Sequence, residues 1–150
     1  MNTQLDPMPA RRFARLARPA AVAVAILFGG LSAFEIALAA GVPWGEAAFG
    51  GASAVLEPGL RVAAGATSVV WAAAALIVLR RAGYPVWAPL PRRALPAAVW
   101  VLAGYTALGV LTNAISTSPI ERAIWVPATI AMSALCFGIA LPLRGRRATA

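Results

Sequence analysis

Residues 60–81 read LRVAAGATSVVWAAAALIVLRR. Between Leu60 and Leu79 the one charged side chain is Arg61, and the pair Arg80-Arg81 closes the run. A helix needs about 20 apolar residues to cross the hydrocarbon layer of a bilayer, and this run meets that length. Three more runs resemble it. Pro19 to Val42 is broken by Glu35 alone, and Ala94 to Thr112 and Ala123 to Leu143 carry no charge. Backbone polar groups cannot go unpaired in lipid, so each run is expected to be helical. The spacing predicts helices over about 19–42, 60–79, 94–112 and 123–143, within a membrane domain spanning 19–143. A basic segment precedes it at 1–18 and a basic tail follows it at 144–150.

Composition agrees with this reading. The chain has 150 residues, 61% hydrophobic and 12% charged, with a mean hydropathy of +0.78. Soluble domains average about 25% charged residues, so lipid is the better solvent for these side chains. The length allows one domain. Short links between the four runs predict an all-α, up-down antiparallel four-helix transmembrane bundle. Gly29, Gly30, Gly65, Gly104 and Gly109 are expected to let helices approach closely.

The net charge of +8 raises the question of nucleic acid, but the arginines cluster between uncharged runs instead of lining a helical face. They read as flanks of membrane spans, and the lipid bilayer is the expected partner. Four precede the first run, four lie in the loop between the second and third, and three end the chain. Those eleven of the thirteen fall on one side, which the positive-inside rule makes cytoplasmic, so both termini are expected inside. Arg61, Arg122, Glu46, Glu57 and Glu121 fall on the other side. The first run exceeds the apolar core of a signal peptide, about 7–15 residues, so an uncleaved helix is favoured, although small residues near 37–40 leave cleavage open.

The chain has no histidine and a single cysteine, Cys136. That removes the usual general base, the commonest metal ligand, an internal disulfide and Cys-x-x-Cys chemistry. No catalytic residue, metal ligand set or cofactor is expected, and the protein reads as non-enzymatic. Its chemistry-bearing groups gather at the outer side. Glu35 lies roughly 7–8 Å below the outer end of its helix, where a carboxylate is costly and is a functional candidate. Arg61, Asn113, Ser118, Glu121 and Arg122 are expected at the same level. Ser118-Pro119-Ile120-Glu121 has the form of a capping arrangement, with serine at the N-cap and glutamate at the third position. Trp44 and Trp125 suit interfacial anchoring. The segment 43–59 is expected to lie at the headgroup level, with Pro43 opening a short helix.

Two readings of this outer layer compete. In one, Glu35 pairs with Arg61 as a structural lock. In the other, Glu35 serves a pocket open to the outside as counter-ion or proton acceptor. Pro58-x-x-Arg61 and Pro119-x-x-Arg122 also share a pattern that would suit related hairpins.

The stretches Gly41-Val42-Pro43-Trp44-Gly45, Leu60-Arg61-Val62-Ala63 and Asn113-x-x-Ser116-x-Ser118-x-x-Glu121-Arg122-x-x-Trp125-x-Pro127 resemble a group of small four-helix bacterial inner-membrane proteins with no assigned activity. The resemblance covers roughly residues 34–127. It implies a multi-pass bacterial inner-membrane protein and transfers no substrate. A looser similarity is to the small multidrug resistance transporters, four-helix dimers whose first helix carries a proton-exchanging carboxylate. Glu35 is the position that matches, but it sits near a helix end, the outer loop is longer and no surrounding motif agrees. The expected function is that of an accessory or structural subunit of a membrane assembly, or of a binder of a small ligand from outside. The alternative is a proton- or cation-coupled transporter, with a membrane-protein partner or a homo-oligomer.

Overall fold

The computed structural model describes residues 8–141, with side chains from Ala17 onward. Four helices account for most of it: α1 (Met8–Ala40), α2 (Pro58–Arg81), α3 (Leu95–Ala114) and α4 (Pro119–Ala140). Two short 3₁₀ turns, Gly45–Ala47 and Phe49–Gly51, lie between α1 and α2. The fold is all-α, and all four helices are long and apolar enough to cross a membrane. The basic tail at 144–150, the end of the fourth run, the first seven residues and the side chains of Arg11, Arg12 and Arg15 lie outside the described residues.

Helix ends follow local chemistry more than the edges of the apolar runs. The first helix was expected over 19–42 but begins at Met8, passes through Pro19 and stops at Ala40. Gly41, at φ 94°, ends it. Its N–H donates to the Leu38 carbonyl at 3.0 Å, and the Val42 N–H donates to Ala37 at 3.0 Å. That is a Schellman closure, which a residue with a Cβ rarely adopts. The end of α2 repeats it: Gly83, at φ 87°, donates to Arg80 and Tyr84 donates to Leu79, each at 3.1 Å. Prolines mark the starts, with Pro58, Pro96 and Pro119 in the first turns of α2, α3 and α4, where a missing N–H costs nothing.

Packing joins the four helices around one apolar centre. Ala21, Val24 and Phe28 of α1 meet Trp71, Ala74 and Val78 of α2, Val99 and Ala103 of α3, and Met132, Cys136 and Ile139 of α4. The Phe28 and Trp71 rings stack at 5.4 Å. Along α1 and α2, position 39 meets 61 and 65, position 32 meets 68, and position 28 meets 71. Along α3 and α4, position 109 meets 129, 103 meets 133, and 100 meets 137. Polar groups face these seams: Ser32 Oγ donates to the Ser68 carbonyl at 2.8 Å and Ser133 Oγ to Ala103 at 3.4 Å. Ile26, Val62, Val69, Val101 and Leu111 are exposed, the reverse of a soluble protein's polar surface and the arrangement a lipid environment favours.

Only some of the expected close-packing glycines serve that purpose. A Cβ on Gly65 would lie 3.7 Å from Ala39 Cβ, and one on Gly109 would lie 3.4 Å from Thr129 Cγ2. At Gly29, Gly30 and Gly104 a Cβ would meet nothing within 4 Å. Those three lie away from the helix seams, so they do not bring backbones together.

Candidate functional site

A cavity of about 450 Å³ opens between the helices at the Glu35 end of the bundle. All four helices and the α1–α2 loop contribute to its wall. Glu35 and Phe34 come from α1, Phe49 from the loop, Thr67 and Trp71 from α2, Tyr105, Thr106 and Asn113 from α3, and Glu121, Trp125 and Thr129 from α4. Its volume falls in the range of small-molecule sites, about 300–1,000 Å³. Five aromatic residues and two carboxylates line it, and no arginine among the described residues does.

Glu35 Oε2 is buried and has no hydrogen-bond partner. The lock expected with Arg61 is replaced by a different contact. Arg61 Nε donates to the Ala39 carbonyl at 2.9 Å, and its guanidinium lies against Gly41, where a Cβ would sit 3.2 Å from Cζ. The last turn of α1 leaves carbonyls without intrahelical donors, and the close approach at Gly41 lets an arginine reach one of them. Arg61 is therefore a cap on α1, outside the cavity wall. Arg122 behaves in the same way: it is exposed, and its Nη1 donates to the Ser116 carbonyl at 2.5 Å.

The capping arrangement at α4 forms in half. Ser118 is the N-cap and its Oγ accepts from the Glu121 N–H at 3.2 Å. The Glu121 carboxylate does not return to the cap. Oε2 accepts from the Gly50 N–H at 3.0 Å and from Ser116 Oγ, while the Ser118 N–H is taken by Ser116 Oγ at 3.2 Å. Asn113 Nδ2 donates to the Gly109 carbonyl at 2.7 Å, one turn back on α3.

The α1–α2 loop differs most from expectation. Pro43 opens no helix, since it lies in a bend ahead of the first 3₁₀ turn. The two turns form a strap fastened to α4 and the link preceding it. Ser118 Oγ donates to the Glu46 carbonyl at 2.5 Å, Trp125 Nε1 to Ala47 at 2.6 Å, and Thr117 Oγ1 to Gly50 at 3.0 Å. The approach is tight: a Cβ on Gly51 would lie 2.6 Å from Ser118 Cβ. Phe49 adopts φ 51°, which a bulky residue rarely holds, and its ring lines the cavity. Trp44 and Trp125 flank Phe34, with ring centroids 6.2 and 4.9 Å away.

Of the six polar residues named from sequence, Glu35, Asn113 and Glu121 reach the cavity wall, Ser118 buttresses Glu121, and Arg61 and Arg122 turn to backbone carbonyls. Sequence reasoning missed the aromatic lining from Phe34, Phe49, Trp71 and Tyr105, and the threonines at 67, 106, 112 and 129. The signal it could have used is threonine placed inside otherwise apolar runs. Comparison with protein-family models, with curated proteins and with solved structures finds no match.

Proposed function

We propose that this chain is a small, non-enzymatic integral membrane protein that binds a small cationic ligand in the cavity at its outer end. The observation that carries the proposal is the cavity itself, walled by all four helices, with Glu35 in its wall and one Glu35 carboxylate oxygen buried without a hydrogen-bond partner. A carboxylate among aromatic faces suits a cation with apolar substituents, because the ring faces and the carboxylate both attract positive charge. The threonine hydroxyls do not alter that preference: Thr67, Thr106 and Thr129 donate to carbonyls of their own helices.

The reading includes an up-down antiparallel bundle with both termini cytoplasmic, in a bacterial inner membrane. The running order of contacts, 39 with 61 and 28 with 71, then 109 with 129 and 100 with 137, supports it. So does the charge asymmetry, with Arg80, Arg81, Arg92 and Arg93 in the α2–α3 connection and Glu46, Glu57 and Glu121 at the other end.

The test is calorimetric titration of the purified protein with benzyltrimethylammonium and with its uncharged isostere neopentylbenzene. The cation is expected to bind at least about tenfold more tightly, a difference of about 1.4 kcal/mol. Glu35→Gln is expected to abolish that preference while the protein stays folded. Equal binding of the two probes, or an unchanged preference in the variant, would sink the reading and leave an accessory role in a membrane assembly. A second reading, cation- or proton-coupled transport, rests on the same unpartnered oxygen. Uptake into proteoliposomes that depends on Glu35 would separate transport from binding.

A further inference from the structure

The far end of the bundle holds a second cavity, about 28 Å along α2 from Arg61 by helical rise. It measures about 590 Å³ and lies where α2 ends and the loop turns toward α3. Arg80, Arg81 and Arg92 line it together with Tyr84, Trp87 and Leu95, and no acidic residue among the described residues does. Arginines at the end of a span are ordinary, but here three of them converge on one concavity.

The wall is fixed in place. The Schellman closure at Gly83 folds the loop back over the end of α2, and Arg80 Nη1 clamps it by donating to the Val86 carbonyl at 2.6 Å. The Arg18 guanidinium carbon lies 4.5 Å from the centre of the Tyr84 ring, tying α1 to the same loop. Arg80 Nε remains buried with no hydrogen-bond partner. Leu95, the first residue of α3, lines the cavity, and that helix has no side-chain cap on its N-terminus. Trp87, 70% exposed, stands at the rim.

We propose that this cavity binds a phosphate group, with Arg92 as its principal donor and Arg80 adding positive charge while it holds the loop. Guanidinium forks match phosphate oxygens in pairs, and an anion relieves the mutual repulsion of Arg80 and Arg92. A phosphate could come from an anionic lipid headgroup or from a soluble phosphate, because the chemistry recognised is the same in both. The site is independent of the outer cavity and of any ligand there.

The experiment uses the full chain purified in detergent. Native mass spectrometry measures retention of dioleoylphosphatidylglycerol against dioleoylphosphatidylcholine, and thermal unfolding is followed with each lipid, with inorganic phosphate and with glycerol 3-phosphate. Preferential retention of the anionic lipid by about tenfold is expected, together with a raised unfolding temperature. Arg92→Gln is expected to remove the preference. Arg93→Gln, which changes the same charge beside the cavity without lining it, is expected to keep most of it. Arg80→Gln serves as a second variant, with folding checked by circular dichroism. Stabilisation by the soluble phosphates identifies a soluble source, and stabilisation confined to the lipid identifies a headgroup. No preference in any arm, or equal losses from Arg92→Gln and Arg93→Gln, would overturn the proposal.

Discussion

Arg61 and Glu35 lie one turn apart in depth on neighbouring helices, and opposite charges so placed suggest an ion pair. The structure gives Arg61 to a carbonyl at the end of α1 and leaves a buried oxygen of Glu35, a residue of the cavity wall, unpartnered. The two residues should therefore act independently. Arg61→Ala is expected to lower stability by about 1 kcal/mol, the worth of one hydrogen bond at a helix end. Combined with Glu35→Gln, the changes should add within about 0.5 kcal/mol in thermal unfolding. A larger coupling would restore the lock. Sequence could not anticipate this partner, because the acceptor is a main-chain oxygen made reachable by Gly41. Side-chain pattern carries no trace of it. Ser118 was legible for the opposite reason: serine, proline and glutamate at fixed spacing are all the cap requires.

Among the elements, the four spans were readable because run length against bilayer thickness is a strong constraint. Their ends were less so: α1 continues eleven residues toward the N-terminus beyond Pro19, through residues whose charge read as flank. The strap was not readable at all. Its hydrogen bonds join Glu46, Ala47 and Gly50 to residues 117–125, roughly seventy positions away, and no local spacing encodes such a contact. Trp125→Phe keeps the ring against Phe34 but deletes the donor to Ala47. That substitution is expected to speed amide exchange over residues 45–51 while leaving exchange in the helix seams unchanged, as read by mass spectrometry. Local opening of this kind is independent of global unfolding when few bonds hold the segment.

For the whole molecule, composition announced a membrane protein and left the interior unspecified. The Glu35 cavity arises where four helices fail to fill the space between them, and the second where the end of α2, the loop after it and the start of α3 leave a concavity; both are matters of packing that hydropathy does not address. The proposed orientation is testable at this scale. Cys136 is fully buried, and a membrane-impermeant maleimide is expected to leave it unmodified in intact cells. In a Cys136→Ala background, Ala52→Cys should label from outside, whereas Pro89→Cys, exposed in the α2–α3 connection, should label only after the membrane is opened. Reversed accessibility would invert the assignment of sides.

The placement of the five tryptophans has an optical consequence. Trp71 and Trp125 border the cavity that holds Glu35, whereas Trp44, Trp87 and Trp100 lie elsewhere. With those three replaced by phenylalanine, the remaining indoles form a label-free gauge of the occupied state. A bound organic cation should alter their emission, and Phe34, wedged against Trp125, would transmit any movement of the strap into the same signal.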